Sequence, residues 1–378
     1  MAGIYLHIPF CKRKCVYCNF YSIASQTRQA DLVKCLKLEL QKRKHLVDNE
    51  IIETIYFGGG TPSLLKSYEI DSVFETIFQN YSLSDTPEIT LEANPDDITE
   101  EYLCHLAATP VNRLSIGIQS FHEADLKYLK RIHSSGQALN SVKAAQDKGF
   151  SNLSIDLIYG IPTLTGEGWL ENIHKAIDLN VPHISCYSLT VEEGTPLPGL
   201  IKKGKLTSPE DEQSISQFRI LMKKMKSGGY RHYEISNFCL PGMEAVHNTH
   251  YWKGKKYLGI GPSAHSFDGN TRSWNVASVT EYIRQVEEGR LSPQSEILSI
   301  SDHYNEYVMT SLRTMWGIEI KTITDRFGPV MTGHFHDAVS EYLSSGKVIQ
   351  KEGTYFLSDE GKLWADRIAS DLFWVGEG

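Results

Sequence analysis

Several things this chain lacks narrow its class before any motif is read. No apolar run is long enough to cross a bilayer, and the opening MAGIYLHIPF has no basic stretch ahead of an apolar core. Neither a spanning helix nor a secretory leader is expected, and a cytoplasmic setting is. Positive charge is short: 38 Lys and Arg stand against 46 Asp and Glu, a net of −8. That balance argues against a general binder of nucleic acid or anionic membranes. Cysteine is scarce and odd in number, seven in all, with Cys35, Cys104, Cys186 and Cys239 scattered singly. Such a distribution is no disulfide framework and suits a reducing compartment. Internal repeats and low-complexity tracts are missing too.

What is present is an ordinary globular composition, 41% hydrophobic and 22% charged over 378 residues, enough for two or three domains. Short β-rich runs alternate with helix-period segments as far as residue 200. The candidate strands are GIYLHI (3–8), ETIYFG (53–58), EITLEA (88–93), RLSIGI (113–118), LSIDLIYG (153–160) and HISCYSL (183–189). Most are apolar nearly throughout, which predicts cover on both faces. Between them, RQADLVKCLKLELQKRKHL carries Leu32, Leu36, Leu40 and Leu46, and YEIDSVFETIFQNY puts Ile70, Val73, Phe74, Ile77 and Phe78 on one stripe. The pattern predicts an α/β fold, a partial (β/α)6-type barrel, with a doubly wound sheet as the alternative. Polar residues at successive strand ends, Glu92, Gln119 and Asp156, favour the barrel, which gathers its site from many strands. A doubly wound sheet concentrates contacts at one switch point.

Farther on, 208–229 reads as a helix capped by Ser208 and stopped by Gly228 and Gly229. YRHYEISNF (230–238) reads as one strand, and 239–275 as a long polar loop or lid. From residue 300, three helical segments, among them IKTITDRF and VMTGHFHDAVSEYL, a hairpin KVIQKEGTYFLSD and a final helix resemble a winged helix. Seven Lys and Arg against twelve Asp and Glu in 300–378 argue against a DNA-tracking surface there, so packing or partner recognition is expected. The division expected is a barrel over 1–238, a loop-rich connection over 239–299 and a smaller C-terminal domain over 300–378.

The densest chemistry lies in CKRKCVYCNF, where Cys11, Cys15 and Cys18 form C-x3-C-x2-C after the first strand. Structural zinc wants four closed ligands, and here His7 is the nearest fourth. Ferredoxin-type clusters also take four cysteines. A cubane held by three thiolates leaves one iron open.

The C-x3-C-x2-C spacing, with an aromatic before the last cysteine and on the first loop of a βα repeat, resembles the radical S-adenosylmethionine superfamily. The resemblance extends over nearly the whole chain to its HemN-like branch, which holds anaerobic coproporphyrinogen III dehydrogenases and HemW-type haem chaperones. It implies a [4Fe-4S] cluster on the three cysteines and S-adenosylmethionine on the open iron, able to yield a 5′-deoxyadenosyl radical. Positions matching the family's cofactor contacts are Tyr5 (YLHIPFC), Tyr17, Gly59, Gly60 and Thr61 (GGGTP), Glu92 (EANP), Gln119 (SIGIQSF), Arg131 (LKRIH) and Asp156 (IDLIYG). Singly, each has a structural alternative, as turn former, surface charge or barrel group; together they describe a site.

Within the branch, the dehydrogenases carry a fourth cysteine in C-x3-C-x2-C-x-C and a long extension before the motif. Here the fourth position is Phe20, and ten residues precede Cys11. HNTHYW (247–252) fits the H-N-x-x-Y-W motif of the haem-chaperone group through His247, Asn248, Tyr251 and Trp252. His247 or His250 has the imidazole to ligate iron, and Tyr251 and Trp252 the faces to cover a porphyrin; the bland reading is a polar loop. GIGPSAHSF (259–267) also resembles the branch and offers His265 as a weaker ligand candidate. The resemblance thus implies a haem chaperone rather than an enzyme, with haem as cargo and apo-haemoproteins as partners, membrane-associated respiratory enzymes among them, and no nucleic acid. The alternative is oxidative decarboxylation of coproporphyrinogen III.

Overall fold

The computed structural model describes residues 1–47 and 50–376. Twelve strands form one sheet: β1 (Ala2–Ile8), β2 (Ile52–Gly59), β3 (Leu83–Ala93), β4 (Arg113–Gln119), β5 (Asn152–Tyr159), β6 (His183–Ser188), β7 (Arg231–Glu234), β8 (Asn237–Cys239), β9 (Lys256–Ile260), β10 (His265–Phe267), β11 (Thr271–Trp274) and β12 (Gln294–Ile297). Their order is β12-β11-β10-β9-β1-β2-β3-β4-β5-β6-β8-β7. From β1 to β6 the strands are parallel and stand in chain order. A sheet wound in one direction has no switch point, so this is the partial barrel and not the doubly wound alternative.

Each crossover carries at least one helix, and the capping is local chemistry. Thr99, Ser134 and Thr165 each accept a backbone N–H in the first turn of a helix following β3, β4 or β5. The outer face of the sheet, with Ile4, Leu6, Ile55, Phe57, Leu114 and Ile116, is fully buried under these helices. The inner face departs from expectation. It carries Tyr56, Glu92, Arg113, Ser115, Ser154, Asp156 and Ser185, which line a cavity. The six strands are therefore covered by apolar packing on one side only, because a barrel this open keeps its concave face for ligands.

Three further expectations are corrected. The 208–229 helix runs over Asp211–Ser227 with no side-chain cap; the Ser208 hydroxyl donates to the Pro209 carbonyl instead. YRHYEISNF enters a hairpin, β7 and β8, paired antiparallel with each other, with β8 also antiparallel to β6. The span 239–275 is mostly regular: helix Val246–Trp252, then β9 parallel to β1, then β10 and β11. Period-2 alternation is hard to see there because these strands are three to five residues long.

The C-terminal part has helix Ile300–Leu312, a helical stretch Ile320–Ser344 broken at Gly328, hairpin strands Val348–Lys351 and Thr354–Leu357, and helix Ala365–Asp371. Gly328 (φ +82°) followed by Pro329 separates the two helical segments read in the sequence. A second apolar cluster, including Tyr304, Val308, Phe335, Val339 and Ile368, sits here. Ile235, in the β7–β8 turn, packs against both clusters.

Candidate functional site

A cavity of about 410 Å³ opens on the concave face, bounded by the loop after β1 and the ends of β2–β6. Cys11, Cys15 and Cys18 line it together with Tyr17, Gly59, Gly60, Thr61, Glu92, Gln119, Arg131 and Asp156. Of the cofactor contacts expected from the sequence, only Tyr5 lies elsewhere, on a neighbouring cleft. The cysteine loop is closed at its base by Cys11 N–H to Ile23 O (3.0 Å) and Ile23 N–H to Pro9 O (2.7 Å), over a fully buried Phe10. Val16 O accepts from Leu197 N–H (3.0 Å), and Lys12 pairs with Asp96 and Asp97. The loop is thereby closed on itself and tied to two separate parts of the barrel.

Close backbone approach explains the glycines. A Cβ on Gly60 would stand 2.7 Å from Phe10 O and 2.8 Å from Ile8 O, so the turn after β2 can lie against the cysteine loop only as glycine. Gln119 takes φ +68° at the end of β4, a conformation costly for a side-chain-bearing residue and concentrated at functional sites.

A hydrogen-bonded chain crosses the site. The Thr61 hydroxyl donates to Cys11 Sγ (3.5 Å) and accepts from Asn94 Nδ2 (3.1 Å). Arg131 donates to Asn94 Oδ1 (2.6 Å), to Gly117 O (2.7 Å) and to Cys15 Sγ (3.5 Å). Its guanidinium is thus held beside the thiols with the geometry set by three neighbours. Glu92 accepts from Tyr56 Oη (2.7 Å) and Gly59 N–H (3.2 Å), yet burial pushes its carboxyl up to about 7. Burial likewise lifts Asp156 to about 6, opposed by Ser185 and by Arg113. Arg113 is itself buried. Its Nε has no hydrogen-bond partner and stands 4.0 Å from Glu88.

The thiols fit the group the motif implies. All three are free, and burial raises Cys11 and lifts Cys18 to about 11, so these two hold protons that iron would displace. Among the described residues no three His, Cys, Asp or Glu side chains converge as a lone metal ion requires. Three thiols around one cavity suit a larger cluster.

HNTHYW forms most of helix Val246–Trp252, which lies across the concave face over β1 and β2. Glu88 accepts from Val246 N–H (3.0 Å) and His247 N–H (2.9 Å) at its start. The helix divides the face: Asn248 lines the cysteine cavity, and Tyr251 lines the cleft that also holds Tyr5. His247 lies between, stacked on Tyr56 at 4.9 Å, with Nδ1 bonded to Thr54 Oγ1 (2.7 Å) and Nε2 to Tyr251 Oη (2.8 Å). Both ring nitrogens are engaged, so the geometry gives His247 no free atom for iron. His250 pairs with Glu53 (3.2 Å) away from both openings, and Trp252 buries its Nε1 without a partner.

Residues 5–189 match the radical SAM superfamily model, and residues 298–364 match the HemN C-terminal domain. The chain is 33% identical over 371 residues to the heme chaperone HemW of Bacillus subtilis, covering 97% of this chain and 98% of that protein. To the heme chaperone HemW of Lactococcus lactis it is 32% identical over 359 residues, 94% and 93% of the two. The chain belongs to the HemW family. In fold it is similar to the coproporphyrinogen III oxidase of Escherichia coli, a radical SAM enzyme, with TM-score 0.85 at 22% identity over 98% of this chain and 90% of that one. Membership of the radical SAM superfamily implies a [4Fe-4S] cluster and S-adenosylmethionine for this HemW-family chain. Among its described residues no helix is long and apolar enough to cross a membrane.

Reading the sequence missed Asn94, Arg113, Ser115, Ser185 and Tyr187, all on the cavity wall. The signal was available in β4. Arg113, Ser115, Gly117 and Gln119 alternate with Leu114, Ile116 and Ile118, a polar inner row against an apolar outer one.

Proposed function

We propose that this chain is a haem chaperone, which carries haem on a radical SAM scaffold and passes it to apo-haemoproteins, respiratory enzymes among them. The observation supporting this most is the similarity to haem chaperones along 97% of the chain, so that barrel, motif helix and C-terminal part are all shared. Phe20, standing where the dehydrogenases of the branch have a fourth cysteine, agrees with it.

On this reading Cys11, Cys15 and Cys18 hold the cluster, and Gly59, Gly60, Thr61, Glu92, Gln119, Arg131 and Asp156 hold S-adenosylmethionine. Tyr5, before the loop, and Tyr17, inside it, are further contacts of the cofactor on this reading. The types suit the ligand: carboxylates for its amino and ribose groups, and Arg131 for its carboxylate. When bound, the cluster supplies one-electron reducing power. The protein's own part is to fix the loop by Thr61 and Arg131, and to keep water from the thiols. The haem motif sits in the connecting segment 239–299, against the barrel.

The test is anaerobic reconstitution of the full chain, then haem titration and a coproporphyrinogen III turnover assay on one sample. One haem per chain, with no protoporphyrinogen formed, is expected. Absence of stoichiometric haem binding, or protoporphyrinogen formation, overturns the reading.

A further inference from the structure

Beside the cysteine cavity, on the far side of helix Val246–Trp252, lies a second opening of about 420 Å³, a size suited to small-molecule ligands. Its wall is aromatic: Tyr5, His7, Phe20, Tyr21, Tyr251 and Tyr257, with His265 at the rim. Phe20 and Asn19 line both openings, so the residue in place of a fourth cysteine is the shared wall. Phe20 leaves 63% of its surface exposed, which a flat apolar ligand would cover.

The polar tips of the cleft's four tyrosines and of His7 are committed. His7 uses Nδ1 on Tyr5 Oη (3.1 Å) and Nε2 on Tyr21 O (2.9 Å). Tyr21 Oη accepts from Val279 N–H (2.8 Å), Tyr251 Oη is bonded to His247, and Tyr257 is bonded to Arg272. His265 differs. Its ring stacks on Trp274 at 5.8 Å, and among the described residues no hydrogen bond holds either nitrogen. Burial lowers its affinity for protons, which keeps a lone pair available.

The backbone presenting His265 is rigidly specified. Gly261 (φ +103°) and Ser263 (φ +64°) turn the chain between β9 and β10, the second an unusual conformation for serine. Fully buried Glu39 clamps this turn, accepting from Gly261 N–H (2.8 Å), Asn275 Nδ2 (2.8 Å), Tyr282 Oη (2.5 Å) and Arg43 (2.9 Å). Asn275 also donates to Gly261 O (2.8 Å). So much support for one turn, from which only His265 is exposed, points to a side chain whose position matters.

We propose that haem docks in this aromatic cleft with His265 as the axial ligand of its iron, and that His247 is a positioning residue that holds Tyr251 and the dividing helix. The proposal rests on the haem-binding reading and goes further by naming the site and the ligand. The ring faces of Tyr251 and Phe20 would border the macrocycle, within reach of the cysteine cavity through Phe20.

The test is resonance Raman spectroscopy of the full-length protein with ferrous haem, alongside haem titration. The wild type is expected to show an iron–imidazole stretch. His265→Gly should lose it, weaken haem affinity by about tenfold or more, and recover the band with added imidazole. His247→Ala should keep the band while binding more weakly. His265 is exposed, so circular dichroism should be unchanged in its variant. Retention of the band in His265→Gly, its loss in His247→Ala alone, or a haem-bound wild type without the band overturns the ligand assignment. A wild type that binds no haem overturns the haem-chaperone reading itself.

Discussion

At the scale of residues, the cavity holds protons that a cationic ligand should release. Glu92 and Asp156 have carboxyls raised to about 7 and about 6, chiefly by burial. Unfolded, both ionise near pH 4, so the folded chain binds more protons between there and neutrality. The stability from these groups is present below about pH 4 and is lost as pH rises through about 6 to 7. Thermal melts of the cofactor-free protein across this window should show the fall, and Glu92→Gln should flatten it by about 1–3 kcal/mol. S-adenosylmethionine carries a cationic ammonium and sulfonium, so its affinity should climb over the same window, and climb less and only through about pH 6 in Glu92→Gln, where Asp156 alone still ionises, as measured by calorimetric titration. Gly60→Ala should be damaging for a different reason. Its Cβ meets two backbone oxygens that cannot step aside, so a loss of about 2–4 kcal/mol and a defective cysteine loop are expected, read by denaturant melts and by iron content after reconstitution.

At the scale of elements, helix Val246–Trp252 joins two regions that the sequence keeps far apart. Its start is held by Glu88 of β3, and Glu88 in turn lies near Arg113 of β4. Replacing Glu88 by Ala removes the acceptor for two helix N–H groups and leaves Arg113 buried without its nearest carboxylate. A loss of about 2–4 kcal/mol is expected, with haem binding weakened and the cluster's visible absorption retained after reconstitution. Equal loss of cluster and haem would show instead that the whole barrel had failed. This element was the hardest to foresee. HNTHYW was legible as a motif, but nothing in its spacing shows that a seven-residue helix lies across β1 and β2, because that placement depends on Thr54, Tyr56 and Glu88, some 160 to 190 residues earlier.

At the scale of the whole molecule, two apolar clusters meet at a narrow seam. Ile235 N–H donates to Arg313 O (3.1 Å), and Met315 N–H to Tyr233 O (2.9 Å), while the Ile235 side chain touches both cores. The remaining contacts are few: Trp316 against Tyr233 and Lys253, the half-buried pair Arg272–Glu306, and exposed charges such as Arg219 and Glu360, worth little in water. Calorimetry should therefore resolve two unfolding transitions, or one that Ile235→Asp splits in two, with the barrel transition less affected than the C-terminal one. A single unsplit transition in the variant would mean the seam is stronger than its contacts suggest.

The sequence by itself determined the six parallel strands, the cysteine loop and the residues that crowd it, because these follow from local periodicity and from short motifs next to strand ends. Phe20 was equally legible as a missing cysteine. Packing in three dimensions was needed to reveal the use of the inner face, polar and open where apolar strands suggested a packed core, and the fate of 239–275. Both depend on which strand lies beside which. Phe20 shows the difference plainly: as a letter it marks an absent ligand, while in space it is the wall between the cysteine cavity and an aromatic cleft with one uncommitted imidazole.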